Sequence, residues 1–136
     1  MKILKILFIF LLLPSFSLAG IPQNGQRFNC AFLIGIWEGE FSNREYSYSW
    51  DVMISQQNSF FGRFYNADGS LYSMQAGTIT CDGEFLTTTL NIEGGSLNGT
   101  TQTWKYKILQ MNKDYRRYQF YNENHPGEIF ESWRVE

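Results

Sequence analysis

Two arginines embedded in aromatic strand-like runs are the side chains of this chain best suited to binding chemistry. Arg63 lies between Phe61 and Tyr65 on one face of an extended segment. Arg117 lies between Tyr115 and Gln119, with Tyr121 beyond. A guanidinium turned into an aromatic-lined cavity would bind a carboxylate or phosphate head group. Turned outward, which is the commoner arrangement, it only covers aromatic surface with its stem. Alternate faces of both runs are aromatic, so the sequence leaves the inward face open. Tyr46, Tyr48 and Trp50, with Trp104 and Tyr106 further on, form the best candidate cavity wall.

Catalytic chemistry finds little support. His125, the one histidine, sits in Asn-His-Pro-Gly, where a solvated turn residue is expected rather than a general base. A haem ligand would require the same His125 to point into a barrel mouth. Glu38 and Glu40 share a strand face and could suggest paired-carboxylate chemistry, but an exposed polar face opposite Trp37 and Phe41 is the simpler account. No serine lies in Gly-x-Ser-x-Gly, and none has a base near it in sequence. With one histidine and two cysteines expected to be bonded to each other, neither a metal site nor a cofactor is expected. The protein is expected not to be an enzyme.

Cys30 and Cys81 follow a leader-like N-terminus. Lys2 and Lys5 precede an apolar run from Ile6 to Leu13, and Ser17-Leu18-Ala19 supplies the small residues that signal peptidase reads. Residues 1–19 are therefore read as a signal peptide and residues 20–136 as one domain. The apolar run falls short of the roughly 20 residues of a membrane span, so a secreted or periplasmic protein without stable membrane insertion is expected. In an oxidising compartment two cysteines pair, and a Cys30–Cys81 disulfide would staple the N-terminal segment to a turn. The mature chain carries a net charge of −4 with its basic residues scattered, which argues against nucleic acid as a partner.

Period two dominates the mature chain. Tyr46, Tyr48, Trp50, Val52 and Ile54 alternate with Ser47, Ser49, Asp51 and Ser55, the signature of a half-buried strand. Eight such runs are expected, at about 32–41, 44–56, 59–65, 71–80, 85–92, 100–110, 115–122 and 128–135. The gaps carry turn chemistry, including Asp68-Gly69 and Asp82-Gly83. Connections this short join antiparallel neighbours. Closing the resulting meander removes two long edges, so an all-β, single antiparallel eight-stranded up-and-down barrel is favoured over a sandwich.

The first strand holds Leu33-Ile34-Gly35-Ile36-Trp37, with Gly35 and Trp37 on one face. There the missing Cβ leaves room for backbone to approach and the indole can plug one end of a barrel. With this Gly-x-Trp, the eight-strand meander, the signal peptide and the single disulfide, the chain resembles the lipocalins within the calycin superfamily, in a small bacterial form. The resemblance implies that Trp37 closes the barrel base and that Arg134, in Ser132-Trp133-Arg134, packs across it. The chain is short for that family and lacks its C-terminal helix.

Two functions of different kind are consistent with these features. The first is a non-enzymatic exported barrel that holds a small hydrophobic or amphipathic molecule in its interior. The second is a barrel filled by its own side chains that binds a protein partner through its loops or outer face, such as a periplasmic inhibitor of a hydrolase.

Overall fold

Alternation along each strand sets which side chains turn inward, and the cross-strand register carries that choice around the molecule. The structure is a computed structural model that describes residues 27–123 and 127–135. The expected signal peptide, residues 20–26 of the expected domain and His125 lie outside the described residues. The strands are β1 (Gly35–Ser42), β2 (Ser47–Ile54), β3 (Ser59–Asn66), β4 (Leu71–Cys81), β5 (Phe85–Glu93), β6 (Thr101–Met111), β7 (Tyr115–Phe120) and β8 (Ile129–Arg134). Each pairs antiparallel with the next, and β8 returns to β1, so the sheet is a closed eight-stranded barrel in meander order. This is the expected fold.

The first strand is shorter than its sequence pattern suggests. Cys30–Leu33 forms a 3-10 helix instead, because the Asn29 side chain caps it by accepting from the Ala31 amide at 3.0 Å. Cys30 is bonded to Cys81 at the end of β4, as expected, with the Cα atoms 5.9 Å apart. The Phe28 amide donates to the Gly83 carbonyl at 2.7 Å, and Arg27 donates to the Asp82 carbonyl at 2.8 Å. The segment is thereby held across the base of the barrel.

Trp37 is fully buried beside this helix, and its indole N–H donates to the Leu33 carbonyl at 2.8 Å. Arg134 completes the closure. Its guanidinium lies 4.5 Å from the centre of the Trp37 ring and donates to the carbonyls of Ile34 (2.6 Å), Phe32 (2.7 Å) and Lys113. Gly35 is obligatory here for two reasons. It adopts a φ of +139°, and a Cβ would occupy the volume of the Arg134 guanidinium. The close approach at Gly35 is therefore by a side chain rather than by backbone. Above this base, Val52, Ile79, Leu86 and Leu90 form the lower core.

Two bulges adjust the strand faces. One lies in β6, where the register shifts between Ile108 and Gln110, so that both Ile108 and Met111 face inward. The other lies in β4 opposite Phe64 and Tyr65 and leaves Tyr72 unpaired at the end of the barrel remote from Trp37.

Candidate functional site

The barrel is hollow above its plugged base. A cavity of about 730 Å³ opens at the end formed by the β1–β2, β3–β4 and β5–β6 connections, within the 300–1,000 Å³ typical of small-molecule sites. Aromatic side chains make up half of its lining. Trp50 lies 5.7 Å from Tyr48 and 6.0 Å from Phe130 between ring centres, and Tyr106 lies 5.5 Å from Tyr118 and 6.2 Å from Phe130. Offset and edge-on contacts of this kind make a stiff wall. Gly39 lets it form: a Cβ there would run into the Trp50 ring and come within 2.5 Å of the Glu131 carbonyl oxygen.

Tyr48, Trp50, Trp104 and Tyr106 all line this cavity. Tyr46 stands at the rim, half exposed, where its hydroxyl donates to Glu128 at 2.7 Å. Burial first, then the charge of Glu128, pushes the Tyr48 phenol up; burial first, then Tyr118, does the same for Tyr106. Both remain neutral hydrogen-bond donors at physiological pH.

Arg63 and Arg117 are not in the cavity. Trp50 pairs with Phe64 and Asp51 with Arg63, so the inward side chains of β3 are Phe60 and Phe64 and the outward ones are Phe61, Arg63 and Tyr65. Outside the barrel, Arg63 forks onto Asp51 with two 2.8 Å bonds, and the Tyr65 hydroxyl joins the same carboxylate at 3.0 Å. Arg117 pairs with Glu131 across β7 and β8 and approaches it at 3.7 Å, also on the outer face. Glu38 and Glu40 are likewise exposed on the outer face, beside a shallow depression that includes Asp51 and Trp133.

The interior arginine is Arg116, one residue away from the candidate Arg117. It pairs with Ser132, which is fully buried, and it is 4 % exposed. Its guanidinium lies 4.7 Å from the centre of the Trp37 ring and 5.2 Å from that of Tyr118, and its Nε has no hydrogen-bond partner among the described residues. Burial lowers its pKa, the Tyr118 phenol opposes this, and neighbouring Arg134 adds to it. It still carries its charge, because an arginine starts so far above neutrality. Beside it, the Trp50 indole N–H donates to the Ser132 hydroxyl at 3.3 Å, and the Tyr118 and Ser132 hydroxyls are 3.4 Å apart.

On the far wall Gln75 and Thr88 add neutral polar groups. Among the described residues that line the cavity there is no Asp, Glu, His, Lys or Cys. The described residues also hold no cluster of three side chains able to bind a metal. The arrangement can take up an apolar body and orient a polar head. Comparison of the chain with protein-family models, with curated proteins and with solved structures returns no match. Fold and site together define a closed, hollow, aromatic-lined eight-stranded barrel plugged at one end.

Proposed function

We propose that the protein is an exported, non-enzymatic barrel of lipocalin type that holds a small hydrophobic or amphipathic molecule in its interior. The observation that carries this function is the cavity of about 730 Å³ walled by Tyr48, Trp50, Trp104 and Tyr106 and open at the Tyr46 rim. Affinity comes from apolar burial at about 25 cal/mol per Å² removed from water, and orientation from the few interior polar groups. Lipocalin kinship is supported by Trp37 set against Arg134 at the base. Export is supported by the disulfide, which is consistent with an oxidising compartment, and by the leader-like N-terminal sequence.

The second function, a protein-binding barrel, draws on a different observation. Ile36 pairs with Met53 and Met53 with Phe61, and all three are exposed on the outer face.

Native mass spectrometry of the protein purified from its own host, before and after denaturation, tests the carrier function. A co-purifying small molecule that is lost on denaturation is expected. On ligand-stripped protein, the neutral dye N-phenyl-1-naphthylamine is expected to bind saturably and to quench Trp50 and Trp104. No bound mass together with no saturable dye binding would overturn the carrier function and shift attention to the outer face.

A further inference from the structure

Arg116 is a buried charge without a counter-charge among the described residues. The ion pairs among the described residues are Arg63–Asp51, Lys113–Asp114 and Arg117–Glu131, all on exposed or partly exposed side chains. Around Arg116 the elements of the barrel contribute no carboxylate among the described residues. β1 brings Trp37, β6 brings Met111, β8 brings Ser132 and β7 itself brings Tyr118. A second cation, Arg134, acts on it unfavourably, and the Arg134 guanidinium is occupied by three backbone carbonyls. Indole and phenol rings offset part of the desolvation of a guanidinium, but a buried charge is ordinarily paired. Here the open volume lies directly against it, since Arg116 itself lines the cavity.

We propose that the ligand is a single-chain amphiphile with one negative charge, a carboxylate, bound head-down on Arg116 with its apolar body running up past Trp50 and Tyr106 to the Tyr46 rim. This rests on the carrier function proposed above. Arg116 is the one cationic side chain among the described residues lining the cavity. It therefore balances a monoanion, whereas a phosphate monoester, near two negative charges, would bring one charge more than the guanidinium offsets. The guanidinium fork matches a carboxylate in geometry, and the Tyr118 and Ser132 hydroxyls beside it offer further hydrogen bonds to the head. Entry head-first is required because the base beneath is closed by Trp37 and the 3-10 helix. From Arg116 to Phe120, both facing inward on β7, the strand rises about 13 Å at ~3.3 Å per residue, which leaves room for an extended tail.

Displacement of N-phenyl-1-naphthylamine from the oxidised protein by decanoate, decanol, decyl phosphate and decyltrimethylammonium tests the head group at constant tail. Decanoate is expected to bind about 10- to 100-fold more tightly than decanol, the range set by a hydrogen bond to a charged group. Decyl phosphate should bind more weakly than decanoate, and the ammonium compound weakest. In Arg116→Gln the preference of decanoate over decanol, read as a ratio on the same variant, should fall to about unity, and Arg116→Lys should restore part of the preference. Equal displacement by decanoate and decanol in the unaltered protein would overturn the head-group assignment and leave the carrier function standing. Tighter binding of decyl phosphate would overturn the monoanion assignment. Absence of dye binding together with no co-purifying mass would remove the carrier function itself. The comparison in unaltered protein decides the matter even if Arg116→Gln does not fold.

Discussion

Replacing Trp37 by alanine should come close to unfolding the protein. The side chain is fully buried at the barrel base, and a large-to-small change at such a site costs about 3–5 kcal/mol. The substitution also strands the Leu33 carbonyl, which now accepts the indole N–H at 2.8 Å in a buried setting, at a further ~1–3 kcal/mol. It removes the ring faced by Arg134 at 4.5 Å and Arg116 at 4.7 Å as well. Because these contributions overlap, a total of about 4–6 kcal/mol is expected, against the ~5–15 kcal/mol that holds a domain together. Urea titration followed by tyrosine and tryptophan emission is the assay. With a slope of about 2 kcal/mol per molar, the midpoint should fall by roughly 2–3 M. Trp37→Phe, which keeps a ring but loses the N–H, should cost about 1–3 kcal/mol, mostly from the orphaned carbonyl. Combined with Arg134→Gln in a double-mutant cycle, it reports how much of the cation–π contact the indole carries, expected at about 0.5–2 kcal/mol of coupling between ring and guanidinium. A cost below about 1 kcal/mol for Trp37→Ala would refute the assignment of Trp37 as the base plug.

Further outcomes are expected. The unfolded, unreduced protein should show no titratable thiol, and reduction of Cys30–Cys81, separated by 51 residues, should lower stability by about 4 kcal/mol in the chain-entropy treatment; two free thiols in the oxidised protein would contradict the bond. Gly39→Ala should destabilise by about 1–3 kcal/mol or more, because the added carbon meets the Trp50 ring and the Glu131 carbonyl, and an unchanged urea midpoint would show that the wall yields at that point. The Phe85 and Glu84 amides donate to the Asp82 carboxylate at 2.7 and 2.8 Å and hold its pKa below the usual range. A depressed folded-state pKa contributes stability above the unfolded value near ~3.9 that is lost as pH falls through the folded value. Asp82→Asn should therefore flatten the acid limb of a plot of urea midpoint against pH, and an identical limb would count against this contribution. Burial raises the Tyr48 and Tyr106 phenols, so their contribution is complete below pH ~10 and lost as pH rises through their folded values. Tyr106→Phe should lessen the alkaline loss of stability, followed by tyrosinate absorbance.

The architecture was legible because its signals are local. Period two from Tyr46 to Ile54 marks β2, and the Asp-Gly pairs mark turns in which Gly69 and Gly83 take φ values of +85° and +92°. The 3-10 helix over Cys30–Leu33 was not legible, since its apolar residues continue the pattern of β1. What diverts them is the Asn29 cap and the tie to Cys81, one of them 51 residues away. The interior arginine was missed for a related reason. Face assignment in β7 is not a property of β7, in which both alternating sets contain aromatic residues. It passes from Trp37 to Arg134 across the closing seam, along β8 to Ser132, and then to Arg116 by the β7–β8 register. Each step is a non-local pairing, and a slip of one residue would have placed Arg117 inside. The aromatic wall was easier to see, because Tyr48, Trp50, Trp104 and Tyr106 recur on single faces of strands with clear alternation.

The closing seam has a kinetic consequence. β1 meets β2 over eight aligned residues, but it meets β8 only through Trp37–Arg134, Glu38–Trp133 and Gly39–Ser132. These partners are also the most distant in sequence of any adjacent strands, so the loop-closure entropy for joining them is the largest in the molecule and is met last. Hairpins β1–β2 through β7–β8 can assemble in turn as a curling ribbon before the seam zips shut. Contacts formed after the rate-limiting step govern how fast a protein comes apart rather than how fast it forms. The Arg134 clamp would then act chiefly as a brake on opening. Its loss should accelerate unfolding while leaving the refolding rate nearly unchanged, and the earliest amides to exchange with solvent should be those along the β1–β8 edge.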